Sequence, residues 1–213
     1  MKLFVIDVES GGLRSGYVPG YEHAFDEPGT QSILSLGGVV WNRDTGEIED
    51  EIELFIKEDP IIALPAALKA NQIDLEWLKE NGLTPQQAVK EHLAPLLVKH
   101  FGQPSRQNLI TLTAYNRAFD EGFLRRLVHK AGLHETAFDE RFAYPKACSY
   151  EFMRAMQLIF GLPLDKCKLE TVMEYLGITP YLPQHSALND AKNTVQVMNK
   201  LRQDFPVGDW KRA

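Results

Sequence analysis

Three short stretches of this 213-residue chain carry side chains that could do chemistry. The first is "FVIDVESGG", where Asp7 and Glu9 end a strongly apolar run. Alternate side chains of a strand share a face, so these two carboxylates would stand side by side. Two adjacent ionised carboxylates repel each other, which is costly unless a cation neutralises them or solvent screens them. A lone D-x-E is as readily a solvated strand end. The second stretch is "AYNRAFDEGFLRRL", with Asp120 in the first turn of a helix. An acid there suits the helix dipole by about 0.3–1 kcal/mol, and Glu121 could serve the same end. The third is "QHSALNDAKNT". If His185 and Asp190 were both helical they would lie about 140° apart around the axis and share no face. If Ser186 caps the helix and His185 sits in the loop after Pro183, the imidazole can swing over a site that Asp190 approaches from the first turn.

These residues need elements to position them. Lys2 to Val8 reads as a buried strand, apolar on both faces. A loop rich in Gly, Tyr and Pro runs from about residue 10 to 31. "ILSLGGVVW" and "IEDEIELFI" read as two further strands joined by the turn "NRDTGE", the second with one face toward water. Helical spacing begins at Pro65, and Thr84-Pro85 opens a helix marked by Val89, Leu93, Leu96, Leu97 and His100, ending near Gly102. "LITLTAY" (109–115) is a strand, a helix covers about 117–131, and 144–148 is a short fifth strand. Helices over 149–160, 169–176 and about 186–202 complete the chain. Three leading strands followed by strands alternating with helices predict a mixed five-stranded α/β sheet flanked by helices. No internal repeat or linker interrupts it, so one domain is expected over residues 1–205, with a peripheral tail at 206–213.

In order, the motifs read D-x-E on a first strand, N-x-x-x-D opening a middle helix and H-x-x-x-x-D opening the last one. This set resembles the DnaQ-like, or DEDDh, 3′–5′ exonucleases, which have an RNase H-like fold. Asp7 to Leu13 matches their first motif, Asn116 to Asp120 the second, and His185 to Asp190 the third. "AALKANQID" (66–74) is similar to the segment that follows their third strand. The chain departs from the family pattern at Tyr115, at Ser10-Gly11 and at Cys148-Ser149. None of these removes a metal ligand or the general base, and all bear on substrate preference.

The resemblance implies a metal-dependent nuclease. Asp7, Glu9, Asp120 and Asp190 would hold two divalent ions, Mg²⁺ or Mn²⁺, which oxygen ligands without cysteine suit. Asp7 would be the bridge, and His185 would accept the proton of the attacking water. The substrate would be the 3′ end of single-stranded DNA or RNA and the product a nucleoside 5′-monophosphate. Ser10, Gly11 and Gly12 would meet the terminal sugar through their backbone. Leu13 would pack beside the base or in the core, and Asn116 would orient the scissile end or cap its helix. Two other readings stay open: a catalytically silent binding or interaction scaffold, and a two-metal hydrolase of short oligonucleotides.

Composition narrows the partners. The formal charge is −6, from 23 Lys and Arg against 29 Asp and Glu. That balance argues against sequence-independent binding along a duplex, which needs many cationic contacts. Arg125, Arg126, Lys166, Lys168 and Lys192 would make at most a modest basic rim. Arg14, Tyr17, Tyr21 and His23 place the 10–31 loop beside the first motif, as a substrate selector or as cover for the sheet edge. The two cysteines form no disulfide framework or zinc pattern. No leader precedes the first strand and no apolar run approaches ~18 residues, so a cytoplasmic location without membrane contact is expected. Oligomeric state and a polymerase partner are left open.

Overall fold

The computed structural model describes residues 1–17, 25–134, 136–143, 147–183 and 185–204. Five segments, β1 (Lys2–Ser10), β2 (Ile33–Asn42), β3 (Ile48–Phe55), β4 (Leu112–Ala114) and β5 (Ala147–Cys148), pair in the order β3-β2-β1-β4-β5. Four of them carry the sheet. Of the fifth strand expected over 144–148, residues 144–146 lie outside the described set and Ala147–Cys148 form a two-residue ladder on β4.

β1 is central because its sequence is apolar on both faces: Phe4, Val5 and Ile6 have no exposure. β2 runs antiparallel to it on one side and β4 parallel on the other. The β2–β3 hairpin closes as predicted, with Asn42 N–H donating to the Glu47 carbonyl at 2.9 Å and Gly46 at φ 83°. Phe4, Ile6 and Val8 pack under α5 (Arg117–Lys130, below), and Leu3 and Val5 lie on the opposite face with Val39, Trp41 and Val195. The odd-numbered face is therefore the one on which Asp7 and Glu9 emerge.

The helices follow in chain order. α1 (Pro65–Asn71) is followed by α2 (Leu75–Asn81), whose cap is Asp74. Thr84 and Gln87 form the reciprocal bonds of a capping box at α3 (Pro85–Gln87). The predicted single helix then passes through a π-helical stretch, Ala88–Leu93, into α4 (Ala94–Phe101). Pro95 explains the interruption: it has no N–H to continue the ladder, and its ring clashes with the carbonyl four residues back. α5 (Arg117–Lys130) and α6 (Ala137–Arg141) come next, the latter too short to have left a periodic signal. α7 (Ser149–Phe160), α8 (Leu169–Tyr175) and α9 (Ala187–Asp204) end the described chain. The tail expected at 206–213 lies outside the described residues. Among those described, no helix is long and apolar enough to cross a membrane.

Two of the cations expected at a basic rim turn inward. Arg126 pairs with Glu58 at 2.6 Å, each side chain 2% exposed. Its remaining donors reach Thr30 Oγ1 (3.2 Å) and the carbonyls of Ser15 (3.4 Å) and Phe25. It thus pins both described ends of the long loop to α5. Arg125 binds Glu121 (2.9 Å) and Asp139 (2.5 Å) and stacks on Phe138. Helical spacing alone does not separate these buried arginines from solvated ones, because Glu58, Phe138 and Asp139 come from other segments.

Candidate active site

The sheet builds the site at the carboxyl end of its central strand. Parallel pairing sets Ala114, the last residue of β4, level with Ile6. The chain leaving β4 therefore enters α5 beside Asp7. Crevices outside the carboxyl ends of strands are where open α/β sheets place ligands.

Asp120 sits in the first turn of α5 and is buried, and its Oδ1 accepts the Val8 N–H at 3.0 Å. That bond ties the helix to the strand between Asp7 and Glu9. Asn116 precedes the helix, but its side chain makes no capping bond. The expectation of a cap does not hold, and Asn116 instead lines a small cavity of about 140 Å³ with Asp7, Asp120 and Asp190.

Asp190 arrives from the other face of the sheet. α9 approaches β2 so closely that a Cβ on Gly37 would lie 2.1 Å from the backbone of Ala187 and Leu188. Gly37 is the cross-strand partner of Asp7. The missing side chain lets the first turn of α9 settle opposite the acid, and Asp190 follows one turn later. Gly37 escaped the sequence reading although it left a signal, since a glycine inside a strand marks close backbone approach.

The segment before α9 is held by side chains of the helix itself. Asp190 Oδ2 accepts the His185 N–H at 3.0 Å. Asn193, 1% exposed, donates to Asp190 Oδ1 (3.2 Å) and accepts the Tyr181 N–H (2.8 Å). Ser186 donates its hydroxyl to Glu53 on β3 at 3.1 Å. His185 itself has φ 59°, a left-handed backbone that places it outside the helix. Glu9, His185 and Asp190 each present a ligand atom within 4.8 Å of the other two. Of the two placements left open for His185, the loop is the observed one. Asn193 left no pattern that singled it out.

The electrostatics of this cluster are unfavourable as it stands. Burial pushes the Asp7 carboxyl well above the usual range, and Asp120, Asp190 and Glu9 push it further. Glu9 is raised to about 8 by burial and then by Asp190 and Asp120. Burial raises Asp120 to about 8 and also raises Asp190. The charged neighbours acting on Asp7 and Glu9 are themselves carboxylates, so a bound cation is what would relieve them. The donor set, carboxylate oxygens with one imidazole and no thiolate, fits a hard divalent ion.

A larger cleft of about 620 Å³ opens from Glu9 and His185 toward Phe55, Asn71 and Trp77. At its edge the first motif turns away from β1. Gly11 donates to the Ser32 carbonyl (2.8 Å) and accepts from Leu64 N–H (2.7 Å), while the Ser10 hydroxyl donates to the Gly12 carbonyl (2.6 Å). Much of the backbone expected to meet a terminal sugar is thus engaged within the fold. Leu13 is 87% exposed, which rules out its core alternative. Tyr21 and His23 lie outside the described residues, while Tyr17 sits under Arg125.

Solved structures share this architecture. The nuclease domain of 3′hExo, a DEDDh family member bound to rAMP, aligns over 95% of this chain and 92% of its own, with 19% identity and a TM-score of 0.66. A 3′-exonuclease described for 3′-end specific recognition of the histone mRNA stem-loop covers 95% of this chain and 82% of its own, also with 19% identity and a TM-score of 0.66. E. coli exonuclease I in complex with a dT13 oligonucleotide covers 95% of this chain but 41% of its own, with 14% identity and a TM-score of 0.69. No family model and no curated protein matches the sequence. The fold is that of the DEDDh exonucleases.

Proposed function

We propose that this protein is a divalent-metal-dependent 3′–5′ exonuclease that releases nucleoside 5′-monophosphates from single-stranded DNA or RNA. One observation carries the reading: carboxylates from three distant segments, with one imidazole, surround adjoining cavities at the end of the central strand. Fold similarity to exonucleases supports it. In this reading residues 1–205 act as one nuclease domain in the cytoplasm, and the partner is a nucleic acid 3′ end.

Asp7, Glu9, Asp120 and Asp190 would hold Mg²⁺ or Mn²⁺, two ions in all. When bound, such ions polarise the phosphodiester and acidify water. The chain's own residues supply the rest. His185, outside the helix and beside Glu9 and Asp190, takes the proton as water oxygen bonds to phosphorus and the bond to the 3′-oxygen breaks. The leaving 3′-oxygen then acquires a proton and remains on the shortened strand. Asn193 and the Asp190 carboxylate hold the segment that carries the imidazole. Leu13 stands exposed to meet a terminal base, and Asn116 faces the small cavity.

The test is direct. Purified protein is incubated with Mn²⁺ and 5′-labelled single-stranded DNA and RNA. A ladder shortening from the 3′ end is expected, with Asp7→Ala at least about 10³-fold slower. Degradation of very short oligomers alone would favour the short-oligonucleotide hydrolase, and absence of turnover on any of these substrates in both parent and variant would favour the interaction scaffold.

A further inference from the structure

Tyr115 and Glu170 lie outside the four acids and the imidazole, yet both line the small cavity with Asp7, Asp120 and Asp190. Tyr115 directly follows β4 and is one of the positions at which the chain departs from the DEDDh pattern. It is 6% exposed and packs with Cys167, Val172 and Met173. Its hydroxyl donates to the Cys167 carbonyl at 2.8 Å, two residues before α8 begins. Lys168, the residue that precedes the helix, makes no capping bond with its side chain. The Tyr115 hydroxyl is therefore a direct polar tie between the end of β4 and the start of α8.

That tie bears on the site because the first turn of α8 carries Glu170 to the cavity. Glu170 is half-buried and has no hydrogen bond or ion pair with a described residue. Lys168 is exposed and forms no bridge to it. The charge of Glu170 is felt across the cavity: burial raises the Asp190 carboxyl, and Glu170 adds to it. Burial likewise raises the Tyr115 hydroxyl, with Cys167 and Glu170 adding. An acid in a first turn suits the helix dipole, a role that any exposed position of that turn would fill. A place on the wall of a cavity that already holds three carboxylates is unfavourable until a cation stands among them.

A hard ion such as Mg²⁺ keeps several of its waters when carboxylates bind it. Groups that hydrogen-bond to what surrounds a metal set its affinity by about 10–100-fold. Resting on the nuclease reading, we propose that Glu170 is a fifth acid of the metal centre, accepting hydrogen bonds from water on an ion held by the four site acids, and that Tyr115 positions it there. Removing the Glu170 charge should then weaken ion binding without any reaction taking place. Removing the Tyr115 hydroxyl should do the same, and only through Glu170.

Mn²⁺ is titrated into the protein and the free ion is counted by its EPR signal, with adenosine 5′-monophosphate present to supply a phosphate and no strand to cleave. Glu170→Gln should bind Mn²⁺ about tenfold more weakly than the parent. Glu174→Gln, one turn along the same helix and exposed, should match the parent. Tyr115→Phe should lose about three- to tenfold, the range of one hydrogen bond. The double variant should fall within about twofold of Glu170→Gln alone, because residues acting through one contact are not additive. In chelator Glu170→Gln should melt no lower than the parent, since Glu170 has no described partner to lose. Unchanged Mn²⁺ affinity in Glu170→Gln, an equal loss in Glu174→Gln, losses that multiply in the double variant, or a loss of stability in chelator that matches the loss of affinity overturns the inference and leaves the nuclease reading intact. No Mn²⁺ binding by the parent, together with no hydrolysis, overturns the nuclease reading itself.

Discussion

Asp120 and Asn193 show how single side chains divide the labour of the site. Asp120 is buried and raised to about 8. Its folded-state pKa lies above the value near 4 of an unfolded chain, so the folded state holds the proton more tightly. The stability it contributes is complete below about pH 4 and is lost as pH rises through about 8. Asp120→Asn keeps an oxygen for the Val8 N–H and cannot ionise. In chelator at pH 8 the variant should therefore be more stable than the parent, by on the order of 2 kcal/mol, with the difference vanishing near pH 4. Denaturant melts at the two pH values check this, and nuclease turnover should be lost in the same variant. Asn193 acts through another residue. Asn193→Asp removes the amide donor to Asp190 and sets a second carboxylate beside it. Turnover should fall at least about tenfold with KM little changed, and higher Mn²⁺ should recover part of the loss. A parallel loss of stability with no metal dependence would make Asn193 merely structural. The acids and His185 were legible as residue types at motif spacing. Asn193 was not, because an asparagine on a helix acquires meaning only when a distant backbone, here Tyr181, is laid against it.

The contact of α9 with β2 decides whether the third motif reaches the first. Its tightest point is Gly37, where a Cβ would meet the Ala187 and Leu188 backbone. Backbone cannot yield as a side-chain tip can. Gly37→Ala should cost about 1–3 kcal/mol and reduce turnover far more than stability predicts, since it lifts Asp190 and His185 from Glu9. Gly161→Ala is the control: Gly161 caps α7 in a left-handed conformation, and a Cβ there would meet nothing within 4 Å. It should lose about 1 kcal/mol and no activity. Equal activity in the two variants would remove Gly37 from the positioning of the site. Most elements were readable beforehand because strands and helices write local periods into the chain, and caps such as Thr84-Pro85 punctuate them. The π-helical stretch was not read, although Pro95 stood in the predicted helix. Of the fifth strand expected over 144–148, the described residues hold a two-residue ladder, which has no period to read.

On the proposed function, metal binding at the site these elements assemble would be coupled to the stability of the whole fold. Burial raises all four carboxyls, and neighbouring acids raise Asp7 and Glu9 further, so ionising them as pH climbs toward 8 and above costs the metal-free protein stability. A divalent ion should raise the melting temperature, by the equivalent of about 2.7 kcal/mol at a hundredfold excess over its Kd. The gain should shrink as pH falls from about 8 toward 5, because protons then compete for the same oxygens. Thermal melts with and without Mn²⁺ across that range check the sign, and a gain that grows on acidification would be incompatible with carboxylate ligation. The amino-acid sequence by itself determined the order of strands and helices and the three motifs, since each depends on residues within a turn or a strand of one another. The tertiary structure alone decided that Arg126 turns inward to Glu58, that Gly37 admits α9, and that the cavity walls carry carboxylates without lysine or arginine among the described residues. Those outcomes join residues tens of positions apart, and only register and packing bring such residues into contact.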